Sequence, residues 1–294
     1  MLRTHTMSKF RTERDTMGEM QVPHDAHYGA STARAVDNFP VANEPVPPSV
    51  LHAFGHLKAA CAAANLELGK LDKKRADAII AAAKEVAAGV HDSHFPVDIY
   101  QTGSGTSTNM NANEVIANVA NIRLGFGVGA KGQEGAVHPN DHVNMGQSSN
   151  DTFPAAMHVA AALVVSEQLI PALERLHAEL AKKANAWDKI VKIGRTHLMD
   201  ATPIRVGQVF GGYAAQAQYS VIRAERALKR LQENNPIGGT AVGTGINTHP
   251  QFAAKVCAVL SRELGIEFTE AVNHPEAQAP KDSFVEAHGE LKTI

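Results

Sequence analysis

Polar runs that lead straight into helical apolar patterns restrict this chain more than any other feature. The longest, residues 138–154, reads His-Pro-Asn-Asp-His-Val-Asn-Met-Gly-Gln-Ser-Ser-Asn-Asp-Thr-Phe-Pro, gathering amides, hydroxyls, carboxylates and imidazoles with little aliphatic bulk. Behind it Met157, Ala160, Ala161, Leu163 and Val164 recur at three- and four-residue spacings, which is one face of a helix. Asn150, Asp151 or Thr152 suits the N-cap, and Pro154 is tolerated in a first turn whose amides have no intrahelical partner. Free N–H groups and the positive end of the helix dipole favour an anion at such a junction. The same residues also read as an ordinary capping loop. Further runs of the same kind shift the reading toward binding.

The second run, Gln101-Thr-Gly-Ser-Gly-Thr-Ser-Thr-Asn-Met-Asn-Ala-Asn-Glu114, enters a helix through Val115, Ile116, Val119 and Ile122. It lacks the Gly-Lys-Ser/Thr of a phosphate-binding loop and is not Gly-x-Gly-x-x-Gly, so a smaller anion such as a carboxylate stays open, beside a plain Gly/Ser turn. The third, Gly194-Arg-Thr-His-Leu-Met-Asp-Ala-Thr-Pro203, holds His197, a side chain suited to proton transfer near neutral pH but also common as a structural loop residue. Thr202-Pro203 predicts the start of a helix running to Leu231. Gly238–Gly245 is another Gly/Thr loop, and Thr248-His-Pro250 another cap. Further helices are expected from the Ser49 cap to Leu68, over 72–90, and over 151–187 with a kink at Pro171, whereas 11–48 reads as irregular with short extended pieces. His52 and His56 form an i, i+4 pair, but no third ligand is near in sequence, so packed or surface histidines are favoured over a metal pair.

A formal net charge of −2 without a basic block argues against nucleic acid as a partner. The 294 residues suggest about two domains, and 44% hydrophobic residues supply a sizeable core. No unbroken apolar run approaches the roughly 20 residues of a membrane span, and Met1–Phe10 lacks the apolar centre of a secretory signal. Cys61 and Cys257 read as buried thiols in a reducing, cytoplasmic setting, too few to hold an iron–sulfur cluster.

Gly103–Asn111, His138–Asp141 with Ser148–Asp151, Gly194–His197 and Gly238–Gly245, in this order, resemble the motifs of class II fumarate hydratases in the fumarase/aspartase superfamily. Aspartases are similar but usually carry Gln where His197 stands and lack a histidine matching His138. The resemblance implies a mainly α, fumarase/aspartase-like fold. An N-terminal lyase domain over 1–148, of mixed and helical structure, precedes the first part of a long helical bundle over 149–294. It implies a homotetramer whose active sites combine loops of three subunits. The implied reaction is the reversible trans hydration of fumarate to L-malate in the tricarboxylic acid cycle, with no cofactor and no metal. By position, Ser104, Thr106, Asn109, Ser148, Ser149, Asn150 and Thr196 would bind substrate, and His197 would move the proton on the water side. His138, Asn140 and Asp141 match the family's second dicarboxylate site.

The family's proton-abstracting serine lies in a loop of pattern Gly-Ser-Ser-x-Met-Pro-x-Lys-x-Asn-Pro, and no such sequence occurs in these residues. Phe284, Val285, His288, Leu291 and Ile294 keep a helical spacing to the last residue without a C-cap. Both observations predict a C-terminally truncated subunit that does not catalyse alone. An aspartate ammonia-lyase and a non-catalytic fragment that binds dicarboxylates or co-assembles with full-length subunits are the alternatives.

Overall fold

The structure, a computed structural model, describes residues 9–294, so the reading of the first ten residues falls mostly outside it. The described chain separates into two compact units, residues 9–160 with 232–280, and residues 161–231 with 281–294. The class is mainly helical, as expected, with two small antiparallel hairpins.

The first unit opens with strands β1 (Phe10–Asp15) and β2 (Gly18–Pro23), the extended pieces expected before residue 48. The Arg11 guanidinium closes this hairpin onto the following chain by donating to the carbonyls of Pro23 at 2.7 Å and Tyr28 at 2.6 Å. Helices α1 (Ala30–Asn38), α2 (Pro48–Glu67), α3 (Lys73–Ala87) and α4 (Thr106–Arg123) follow. Ser49 is not the cap of α2. Pro47 takes that position and Pro48 opens the helix, where a missing N–H and a preset φ cost nothing. Asp72 caps α3 by accepting the N–H of Arg75 at 3.0 Å. Next come α5 (Ser149–Val164), α8 (Phe252–Leu264) and α9 (His274–Gln278), while α6 (Ile170–Ala186) and α7 (Val206–Gln232) belong chiefly to the second unit.

Alanines make α2 thin enough to pack on both α3 and α8. At Gly55 a Cβ would stand 2.3 Å from the backbone nitrogen of Ala87, so this crossing depends on glycine. Cys61 and Cys257 are free and buried, as read from sequence, and burial pushes the Cys257 thiol up to about 12. The α8 helix starts at Phe252, two residues beyond the predicted cap.

Helix α1 has no cap of its own. The buried Glu114 carboxylate of α4 accepts the N–H groups of Gly29 (2.8 Å), Ser31 (2.9 Å) and Thr32 (3.1 Å) and the Thr32 hydroxyl (2.6 Å).

In the second unit a π-helical turn, Val165–Leu169, separates the end of α5 from α6 (Ile170–Ala186). The disturbance expected at Pro171 takes this form. One wider turn ahead of the proline puts its ring and missing donor into the start of a new helix. Taken together, Ser149–Ala186 has the length and apolar composition of a membrane span, which the search for unbroken apolar runs did not bring out. Its first half nevertheless carries the buried polar side chains Asp151, Thr152 and His158. Strands β3 (Val191–Thr196) and β4 (Met199–Arg205) then pair, followed by α7 (Val206–Gln232) and α10 (Asp282–Leu291). Trp187 meets Phe210 edge to face at 4.7 Å between ring centres.

Glu114→Ala removes the acceptor of α1's first amides and leaves buried donors unpaired. Unfolding in urea should reveal a loss of roughly 1–3 kcal/mol. An unchanged midpoint would show that this carboxylate does not hold α1.

Candidate functional site

Helix α4 begins at a glycine for a steric reason. Gly105 has φ +71, and a Cβ there would lie 2.1 Å from the Phe153 ring of α5. This close approach seats the first turn of α4 against α5. The Ser104 and Thr106 hydroxyls lie 2.8 Å apart at that end. One turn on, the buried Asn109 amide donates to Ser149 Oγ at 3.1 Å and to Asn144 Oδ1 at 3.3 Å. Six of the sequence-assigned residues, Ser104, Thr106, Asn109, Ser148, Ser149 and Asn150, therefore meet where two helices begin.

The segment between them runs antiparallel to α4. Val137 exchanges two hydrogen bonds with the Asn121 side chain, N to Oδ1 at 2.6 Å and Nδ2 to O at 2.9 Å. Asn144 is held at Asn109, about 18 Å earlier along the helix axis at the usual rise. Between these anchors a π-helical turn, Pro139–Val143, carries Asn140 and Asp141 behind His138, so the second group of assigned residues lies together but apart from the first. His138 Nδ1 accepts the Asp141 N–H at 3.2 Å. The Asp141 carboxylate lies 3.2 Å from the same nitrogen.

Two buried charges hold this run in place. Lys58 of α2 is fully buried and donates to Asn144 Oδ1 and Gln147 Oε1, each at 2.9 Å. Burial pulls its ammonium down to about 8, and the Asp151 carboxylate nearby opposes the shift. Asp151 is not the simple N-cap offered by the sequence. It lies within α5, accepts the Ser148 N–H at 2.8 Å, and through its other oxygen accepts those of Gly238 (3.0 Å) and Thr240 (2.9 Å). Burial pushes this carboxyl up, and the three amides oppose that shift. Asn150 adds a bond to the Ala241 carbonyl at 2.7 Å. The 238–245 loop thus becomes a wall of the same region. Thr240 holds φ +54 there, an outlying conformation for a β-branched residue.

His197 and Thr196 belong to the second unit. Thr196 ends β3 and pairs with Met199, leaving His197 and Leu198 as a two-residue turn with φ of +51 and +62. That is the conformation of a type I′ turn, which usually takes Asn-Gly. Arg195 and Asp200 face each other across the strands, joined at 3.1 Å. Thr202-Pro203 does not start a helix. Pro203 pairs with Ile193 and Ile204 with Lys192, and α7 begins only at Val206. The apolar stretch before Gly194 takes a partner strand, and this overrides the cap signal.

Lys58 escaped the sequence reading. Its cue was position, since Leu51, Phe54, Lys58, Cys61 and Asn65 follow one helical stripe, so a cation stood in the apolar face. His52 is no metal ligand pair with His56. Its Nε2 lies 3.0 Å from Asp92 Oδ1.

Residues 18–294 match the sequence model of a family described as lyase. The chain belongs to this lyase family. It is 55% identical over 290 residues to the class II fumarate hydratase of Corynebacterium efficiens, covering 98% of this chain and 59% of that protein. Its identity to the class II fumarate hydratase of Halobacterium salinarum is also 55%, covering 93% of this chain and 57% of the relative. The crystal structure of class II fumarase from Schistosoma mansoni superposes with a TM-score of 0.91 at 36% identity, covering 97% of this chain and 62% of that one. The chain thus spans less than two thirds of the length of these lyase relatives.

Lys58 gives this lyase chain a measurable pH signature. Its folded pKa of about 8 lies below the ordinary lysine value of 10.5, so between these values the unfolded chain holds a proton that the folded chain has released. Stability then rises with pH across that window, by roughly 3 kcal/mol at most. Lys58→Met has no such group to titrate, and wild type should gain on the variant from pH 8 to 10.5 in chemical unfolding. Parallel profiles would mean that Lys58 titrates as an ordinary lysine.

Proposed function

We propose that this chain is the substrate-binding part of a class II fumarate hydratase subunit, which adds water reversibly and trans to fumarate to give L-malate. One observation carries the reading. Asn109 in the first turns of α4 bonds to Ser149 at the first position of α5, so two helix N-termini converge on one polar site. Convergent positive helix ends and hydroxyl and amide donors suit a dicarboxylate.

In the malate direction, loss of a C3 proton leaves an aci-carboxylate of greater negative charge, and hydroxide then departs from C2. Ser104, Thr106, Asn109, Ser148, Ser149, Asn150 and Thr196 are assigned to hold that charge with donors that need no reorganisation. His197 is assigned to the proton on the water side, directly or through a bound water. Its left-handed backbone supports this role, because a non-glycine residue in that region costs of order 1–3 kcal/mol and such strain collects at functional sites. His138, Asn140 and Asp141 are assigned to a second dicarboxylate position. The C3 base is a serine of the family's loop pattern, absent from these residues. Turnover is therefore assigned to a subunit that includes it. Apolar side chains at Val191 (68% exposed) and Met199 (70%) support burial of this hairpin in a homotetramer.

The test is the intact subunit with fumarate, with and without ammonium. Malate is the expected product, and aspartate without malate would overturn the reading in favour of an ammonia-lyase. His197→Asn should lower turnover by roughly 10²- to 10⁴-fold with far less change in affinity. A near-wild-type His197→Asn beside an inactive His138→Asn would reverse the two site assignments. The 294-residue chain alone should fall well below the roughly 1–10³ s⁻¹ of ordinary enzymes.

A further inference from the structure

We propose that His27, His91 and His94 form a binding site for a divalent transition-metal ion of the zinc type, apart from the residues assigned to dicarboxylates. One ring nitrogen of each lies within 4.8 Å of the others. The His27 and His94 rings stack at 4.1 Å, and His91 stands edge-on to His27 at 5.3 Å. His27 leaves the chain just after β2, whereas His91 precedes and His94 ends the 3-10 turn Asp92–His94 that follows α3. An ion held by all three would tie segments more than sixty residues apart in sequence.

The surroundings are those of a ligand site more than of an aromatic cluster. His27 Nδ1 is buried and has no hydrogen-bond partner among the described residues. Such an orphan in a folded chain needs an explanation, and a bound ion supplies one. His91 Nε2 lies 2.8 Å from Glu85 Oε2, and a ring that donates there directs the lone pair of Nδ1 away from the carboxylate. Metal-bound histidines are commonly oriented by this carboxylate contact. The backbones are fixed as well, because Asn118 of α4 donates to the His27 carbonyl at 2.7 Å and Asn111 to the His94 carbonyl at 3.0 Å.

Burial pulls His27 down to about 4 and lowers His94 too, which favours the neutral ring with a lone pair to offer. Asp25 and Glu85 supply negative charge nearby, and Arg11 opposes it. Three imidazoles without a thiolate suit zinc, cobalt, nickel or copper ions and not calcium or magnesium. Bonds of about 2.0–2.1 Å require the rings to turn inward from their present spacing. The cost is the 3.3 Å contact between the His27 N–H and His94 Nδ1, because ligation through either His94 nitrogen removes that acceptor. His27 and His94 are only half-buried, which leaves room for water as a fourth ligand.

The test uses the purified, chelator-stripped protein with zinc or cobalt ions alone. Equilibrium dialysis should find one tight zinc ion per chain, and cobalt should give the intense visible bands of a four-coordinate ion. His27→Gln and His94→Gln should each weaken binding more than about tenfold, Glu85→Gln by about 10- to 100-fold, and His24→Gln not at all. Zinc should raise the melting temperature of wild type but not of His94→Gln. A wild-type cobalt spectrum no different from the hexaaquo ion would overturn the proposal without reference to any variant. So would zinc affinity equal to that of the His27→Gln/His94→Gln double variant.

Discussion

A carboxylate removed from water must find donors that the fold has already fixed. Asp151 is that constraint here. Its two oxygens take amides from Ser148, Gly238 and Thr240, so the start of α5 and a loop almost ninety residues later are set by one side chain. Glu114 does the same for the start of α1, and Lys58 does it with opposite sign for Asn144 and Gln147. Each buried charge completes a segment whose own residues leave polar groups unpaired. Hydrophobic burial brings α2, α3, α4 and α8 together, but it does not choose where a polar loop lies along them. The buried charges make that choice, because a small shift would leave an ion or an amide unpaired.

Much of this was legible in the residues. The helices announced themselves by apolar spacing, and the polar runs by their lack of it. What could not be read locally was which donor served which acceptor. Asp151 looked like a cap because capping is the local option, while its actual partners at Gly238 and Thr240 come from the far end of the unit. Thr202-Pro203 carried a sound helix-start signal, but strand pairing with Ile193 and Lys192 won. The histidines show the same limit. The pair with helical spacing, His52 and His56, was visible at once, whereas His27 joins His91 and His94 only through the fold.

The two units store conformational energy differently. In the first, Thr240 keeps a left-handed backbone because Asp151 and Gln278 bond its amide and its carbonyl. In the second, His197 and Leu198 keep theirs at the tip of a hairpin, with Leu198 95% exposed. Cross-strand pairing on both sides of the turn holds that geometry.

Helix α4 anchors the polar run twice, at Asn109 and at Asn121. Both anchors are side chains on one rigid rod, so the rod acts as a ruler whose graduations are residues. Adding or removing a single residue between them would move one anchor by about 1.5 Å and swing it by about 100°. The span can drift in composition but not in length, and the distance between its two polar ends is thereby counted in peptide units.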